Sequence, residues 1–330
     1  MLTVRENFLE TIKPDGKPDR LVNGYEFMEL IVPDPLLIAS SHNLERGTRG
    51  LDGFGITWEW SQDQPAAAPL PDASTYVIKD VTKWSESFNA PNIENLDWSD
   101  TIARAEAARG TDKFITAFFP SGLFERLHFL MGFENALVNL MIEPEATKEL
   151  IGAIGKFRMR YTELLIEKIK PEMFFLHDDW GMKHSLFTSP EVWRDMLLPH
   201  YRELYEYLKS KDIIIVHHAD SFLEPIIEDM ADLGIAVWQG TLPENDIPKL
   251  QKELGGRMTL MGGIGADIVD APAATEEDVR RETRRACEAY GAGGHFIPCF
   301  TYGGPHDMIF QEREQYVTDE IAKYNEEVRS

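Results

Sequence analysis

Two short stretches concentrate ionisable side chains: His177-Asp178-Asp179-Trp180-Gly181 and His217-His218-Ala219-Asp220. Each closes an apolar run, MFFL (173–176) and IIIV (213–216). An imidazole and a carboxylate two residues apart on an extended chain point to the same side. His218 and Asp220 are such a pair, and together they can hold a metal through nitrogen and oxygen. They can equally be a base and its orienting carboxylate. His217 points the other way and reads as structural. Asp220 precedes Ser221 at an expected helix start, so it also fits a helix cap. Asp178 and Asp179 offer a carboxylate pair, for catalysis or for capping and arginine pairing.

Positioning these groups takes a scaffold of strands and helices. From residue 113 the pattern becomes regular. Strands are expected at 113–119, 173–177, 213–218, 235–239, 258–263 and 295–300. Helices are expected at 123–141, 144–169, 190–209, 222–233, 247–254, 276–290 and 309–327. The strands are short and almost continuously apolar, as when both faces are buried in a parallel sheet. Alternation with helices leaves a closed barrel or an open doubly wound sheet. Length favours the barrel, as does the lack of a Gly-x-Gly-x-x-Gly turn after any strand. The expected class is therefore α/β, a distorted (β/α)8 TIM-type barrel. One domain is expected over 1–330, with an irregular part at 1–112 and regular βα units at 113–330. GITWEW (55–60) and TYVIKD (75–80) read as a hairpin excursion, and an early strand is expected near 20–23.

In such a barrel the strand C-termini form the active site. Those ends carry His177, Asp178 and Asp179; His218 and Asp220; Gln239; the glycines of MGGIG (261–265); and Cys299 with Tyr302 close behind. Cys299 alone fits a small core residue as well as a ligand.

The 330 residues carry 33 basic and 56 acidic side chains, a formal net charge of −23. That field disfavours nucleic acid and anionic membrane surfaces as partners. No apolar run approaches the roughly 18 residues needed to span a bilayer. The segment MLTVRENFLETIKPDG lacks the pattern of a signal peptide. With only two cysteines, Cys287 and Cys299, a reducing cytoplasm is expected.

GLFERLHFLMGFENAL (122–137), HDDWG (177–181), SPEVWRDMLLPHYRELYEYLKS (189–210), HHAD (217–220) and MGGIG (261–265), in that order, resemble the uroporphyrinogen decarboxylase superfamily. The resemblance covers about residues 1–328. It implies a distorted barrel with one deep cleft at the strand C-termini. It also implies one of two chemistries: cofactor-free decarboxylation, or methyl transfer involving a corrinoid. The decarboxylase proper has an arginine-bearing segment near its N-terminus that binds substrate carboxylates. The matching region here, RLVNGYEFMELI (20–31), has no such arginine pair and carries Glu26 and Glu29 instead. The resemblance is thus closer to the corrinoid-dependent methyltransferase branch.

Methyltransferases of that branch bind zinc through a His-x-Cys pair and a distant cysteine. By the same resemblance His218 falls at the histidine, Asp220 at the first cysteine and Cys299 near the second. The implied metal set is Zn2+ at His218, Asp220 and Cys299. Asp178 or Asp179, with Gln239 and His177 or Tyr302, would orient a small-molecule methyl donor or acceptor: a methoxy compound, an alcohol or a thiol. A separate corrinoid protein is the implied partner, and a homodimer is expected. Two other readings stand beside this one. One is a metal-free decarboxylase of uroporphyrinogen or a smaller acid; the other is a non-catalytic barrel that binds a corrinoid or another ligand.

Overall fold

Ten strands make two sheets in the computed structural model, which describes residues 1–62, 67–306 and 308–329. They are β1 (Met28–Leu30), β2 (Arg49–Leu51), β3 (Thr57–Glu59), β4 (Ala68–Pro69), β5 (Phe114–Phe119), β6 (Met173–His177), β7 (Ile214–His218), β8 (Val237–Thr241), β9 (Thr259–Ile264) and β10 (Phe296–Phe300). The large sheet runs β1-β5-β6-β7-β8-β9-β10, every neighbouring pair parallel. Its strands are buried along almost their whole length, as their unalternating apolar sequences require. With helices packed around it, the curled sheet is a distorted TIM-type α/β barrel.

β1 and β10 do not pair, and residues 21–25 fill the seam between them. The Leu21 N–H donates to Asn325 Oδ1 at 3.0 Å, Asn23 Nδ2 to the Thr318 carbonyl at 2.9 Å, and the Tyr25 hydroxyl to the Tyr302 carbonyl at 3.2 Å. The early strand expected near 20–23 is therefore absent. The Leu21 backbone bonds instead to the Asn325 side chain of the C-terminal helix Glu312–Arg329, and the first strand begins at Met28.

The hairpin excursion exists, with different strands. GITWEW supplies β3, but TYVIKD forms none. The Ile78 N–H there donates to the Leu130 carbonyl at 3.0 Å, so the segment docks on a helix rather than a ladder. β2 and β4 flank β3 instead, both antiparallel to it. β4 lies between the two expected strands, in a stretch of which 63–66 fall outside the described residues.

Two expected helices are each divided. Gly132, at φ 87°, separates Leu123–Met131 from Phe133–Ile142, and a Cβ there would sit 2.4 Å from the Tyr76 ring. Pro199 has no N–H to continue a helix, and the chain breaks at Leu197 between Pro190–Met196 and Leu198–Lys209. Residues 222–233 hold only a short 3-10 turn at Glu224–Ile226 and the helix Ile227–Leu233. Among the described residues, no helix is long and apolar enough to cross a membrane.

Candidate active site

His177 ends β6 and His218 ends β7, and the two are register partners on adjacent parallel strands. Parallel pairing thus sets the imidazoles side by side, with ring centroids 4.2 Å apart and planes 23° from parallel. Asp179 follows two residues after His177, and its Oδ1 lies 3.8 Å from His218 Nε2. One ligating atom from each of His177, Asp179 and His218 falls within 4.8 Å of the others.

Each ring has its Nδ1 committed elsewhere. His177 Nδ1 lies 3.0 Å from Glu125 Oε2, and His218 Nδ1 is hydrogen-bonded to Gln239 Oε1. The Gln239 amide is itself oriented, since Nε2 donates to the Tyr302 carbonyl at 2.8 Å and the Phe300 carbonyl at 3.4 Å. The acceptor oxygen therefore faces His218, so Nδ1 carries the proton and Nε2 keeps its lone pair. Histidines that bind metals are characteristically held this way through the other nitrogen.

Glu125 arrives from the helix Leu123–Met131, whose start is set by Asp178. The Asp178 carboxylate accepts from the Phe124 N–H at 3.1 Å, the Glu125 N–H at 2.9 Å, Trp180 Nε1 at 2.9 Å and the Tyr201 hydroxyl. Gly122 permits the approach, because a Cβ there would sit 1.9 Å from Asp178 Cγ. Asp178 is thus fully buried beneath the helix, and Asp179 is the member of the pair that joins the imidazoles.

The electrostatics are those of a crowded acidic corner. Burial alone would depress the His177 imidazolium, but Glu125 outweighs it, aided by Asp179 and Asp220, and raises its pKa to about 10. Burial disfavours the Glu125 carboxylate, yet the His177 charge and hydrogen bond carry it below the usual range. Burial and then the neighbouring Asp220 push Asp179 well above the carboxylate range, and burial raises Asp220 to about 6. Burial and then the His177 charge hold His218 neutral. Asp179, which resists ionisation, and the free Nε2 of His218 are donors that a divalent cation would favour, and a cation there would displace the proton from His177. The residues present fit a metal.

The expected metal set is only partly gathered. His218 belongs to the group. The Asp220 N–H donates to Asp179 Oδ1 at 3.0 Å, but its carboxylate is not among the close donor atoms. Asp220 caps no helix, because the next helical turn begins at Glu224. The Cys299 thiol is buried in β10, pushed up by burial and hydrogen-bonded with Tyr25. It too lies outside the donor group. His217 faces the other way, stacked on Trp180 at 4.0 Å with Nδ1 2.7 Å from the Tyr205 hydroxyl.

Beside the imidazoles opens a cleft of about 810 Å³. His177 and Glu125 line it, as does Tyr302 on the loop after β10. Burial and then Asp270 raise the Tyr302 hydroxyl to about 12. Arg126 and Asp52 form a buried ion pair at 3.0 Å within the wall, and Ser121 takes a second Arg126 hydrogen bond at 2.7 Å. Trp58 and Trp60 come from the small sheet. Sequence reading missed Glu125, because LFERLHFLM has the spacing of a core helix. It missed the tryptophans because their hairpin lies far from the βα units in the chain; the alternation in WEW was the available signal.

The family model for uroporphyrinogen decarboxylase (URO-D) matches residues 53–311. The chain belongs to the uroporphyrinogen decarboxylase family. Both its donor group and most of its cleft lie inside that match. Among solved structures, a methyltransferase from Methanosarcina mazei is similar over 98% of this chain and 99% of its own, with a TM-score of 0.64 at 14% identity. A D-psicose 3-epimerase solved with D-fructose matches at a TM-score of 0.40 and 12% identity, over 68% of this chain and 83% of that one. None of the curated proteins matches this chain. The first likeness extends the URO-D barrel to nearly the full length of the chain.

Proposed function

We propose that this URO-D barrel is a methyltransferase. It moves a methyl group between a small methylated compound (a methoxy compound, alcohol or thiol) and a corrinoid carried by a separate protein. His177, Asp179 and His218 hold a zinc ion, with Asp220 beside them. When bound, the ion supplies a Lewis acid that stabilises the electron pair left on oxygen or sulfur. The chain's own groups do the rest. Glu125 and Gln239 orient the two imidazoles, the cleft wall positions the substrate, and burial of the corner excludes water. The observation that carries this reading is the convergence of the three donors with both Nδ1 atoms tied outward. The likeness to a methyltransferase supports it.

The test is metal analysis of protein purified without chelator. The expected result is close to one equivalent of zinc, lost in both His218→Ala and Asp179→Ala. Substoichiometric zinc that is unchanged by either substitution overturns the metal assignment.

One observation favours a second reading, a decarboxylase that needs no cofactor: the His177–Glu125 pair is complete by itself. Against it, Arg126 is spent on Asp52 rather than free for a substrate carboxylate. Carboxylic acid turnover that survives exhaustive chelation selects this reading.

A further inference from the structure

Arg158 stands on the long helix Pro144–Ile169, outside the cleft, and is 2% exposed. Its guanidinium lies over the Phe119 ring, 3.9 Å from the centroid, and Nη1 donates to the Ser121 carbonyl. Nε and Nη2 are buried and have no partner. Among the described residues no carboxylate forms an ion pair with this side chain. The arginines nearby differ. Arg126 is held by Asp52 and Ser121, and Arg160 by Glu94 and Glu163. Asp178 does not serve Arg158, because its oxygens already accept from two backbone N–H groups, Trp180 and Tyr201. A buried cation left unpaired is among the costliest groups a fold can hold.

The two orphan nitrogens share one edge of the guanidinium. Nε–H and Nη2–H point the same way along that edge and are spaced to meet two oxygens at once. Arg158 also lines a groove of about 280 Å³ between the helices Pro144–Ile169 and Leu198–Lys209, which shares no lining residue with the cleft. Leu123 and Tyr201 line it too, so the groove reaches inward to residues that are themselves buried. Gly152 and Gly155 leave its helical side bare, and a Cβ at Gly155 would come within 3.4 Å of the His200 ring. The lining carries Lys156, Arg158 and Arg160 against Glu163 and Glu203, a surplus of one positive charge. Burial lowers the His200 pKa, so that imidazole adds none at neutral pH.

We infer that this groove is a binding site for a small monocarboxylate, separate from the cleft. The ligand lays its two oxygens along the Nε–Nη2 edge of Arg158 and supplies the buried guanidinium with the counter-charge the chain does not provide. A planar fork of two donors matches a carboxylate. A surplus of one charge suits a monoanion, whereas a dianion such as phosphate would meet Glu163 and Glu203 with too little compensation. The inference does not rest on the methyltransferase reading, since none of these residues belongs to the donor group or lines the cleft.

The experiment is thermal unfolding of the full chain while chloride is exchanged for formate, acetate or phosphate at constant ionic strength. Formate and acetate should raise the midpoint saturably, as ligands of the folded state do, and phosphate should not. Arg158→Met should remove the rise. Arg158→Lys keeps the charge but loses the paired donors, and should weaken acetate by about 10-fold or more. Gly155→Leu fills the groove while leaving Arg158 in place, and should also remove the rise. Leucine suits a helix better than glycine, so this variant carries the test if the Arg158 variants do not fold, as circular dichroism will show. A midpoint that is the same in every salt overturns the site. So does an acetate effect that persists in both Arg158→Met and Gly155→Leu, which is then a general salt effect. A saturable rise in phosphate equal to that in acetate overturns the ligand class.

Discussion

Gln239 shows how a residue distant from any methyl group can govern the site. Its amide is held by the Phe300 carbonyl at the end of β10 and the Tyr302 carbonyl beyond it, so only its oxygen is presented to His218. Glu125 does the same for His177 with a full charge. Removing either acceptor frees a ring to turn or change tautomer. Gln239→Ala and Glu125→Ala should each weaken zinc by about 10- to 100-fold, measured by competition with a chromogenic chelator. Unchanged affinity in both would mean the histidines are not the ligands. At this scale HDDWG and HHAD were legible, because ionisable residues at successive strand ends stand out against apolar runs. Their partnership was not. The distance between His177 and His218 is set by strand register, and the choice of Asp179 over Asp178 by a helix that docks from residue 123. Cys299 stands one residue before the end of β10, but its thiol is held in the core near Tyr25.

Among the elements, the strands were the easiest to read and the breaks between helices the hardest. Continuous apolar runs report burial directly, whereas a break depends on one glycine or proline and on what packs beside it. The short helix Pro35–Ser40 at the cleft edge illustrates an element whose stability is tied to pH. Its cap, Asp34, accepts from the Leu36 and Leu37 N–H groups and is fully buried. Burial raises its pKa from 3.8 to about 6, against the opposing pull of those hydrogen bonds. The folded state therefore takes up the proton more readily than the unfolded chain. The stabilisation this provides is complete below about pH 4 and is lost as pH rises through 6, by roughly 3 kcal/mol. Asparagine also caps but does not titrate. The stability of the natural chain relative to Asp34→Asn should fall by about that amount between pH 4 and 7 in urea titrations. A difference that does not vary with pH would show that Asp34 ionises normally.

At the scale of the molecule, the barrel is held at its seam by side chains rather than by a strand ladder. Asn325 bridges the Leu21 backbone through both amide atoms, accepting at 3.0 Å and donating at 2.9 Å. Asn325→Ala strands two backbone groups in a mostly buried place. It should cost about 1–3 kcal/mol in urea unfolding while leaving zinc binding intact. Loss of zinc at unchanged stability would place the seam's role in the site instead. The charge of −23 belongs to this scale too.

Composition and periodicity alone determined the α/β class, the barrel, and the end of the barrel where chemistry collects. Those properties depend on local burial, which each apolar run carries in its own sequence. Which carboxylate meets which imidazole, and that a remote hairpin walls the cleft with two tryptophans, was decided only by tertiary structure. Such contacts join residues from Trp58 to Gln239, and no local pattern encodes the register and docking that bring them within a few ångströms.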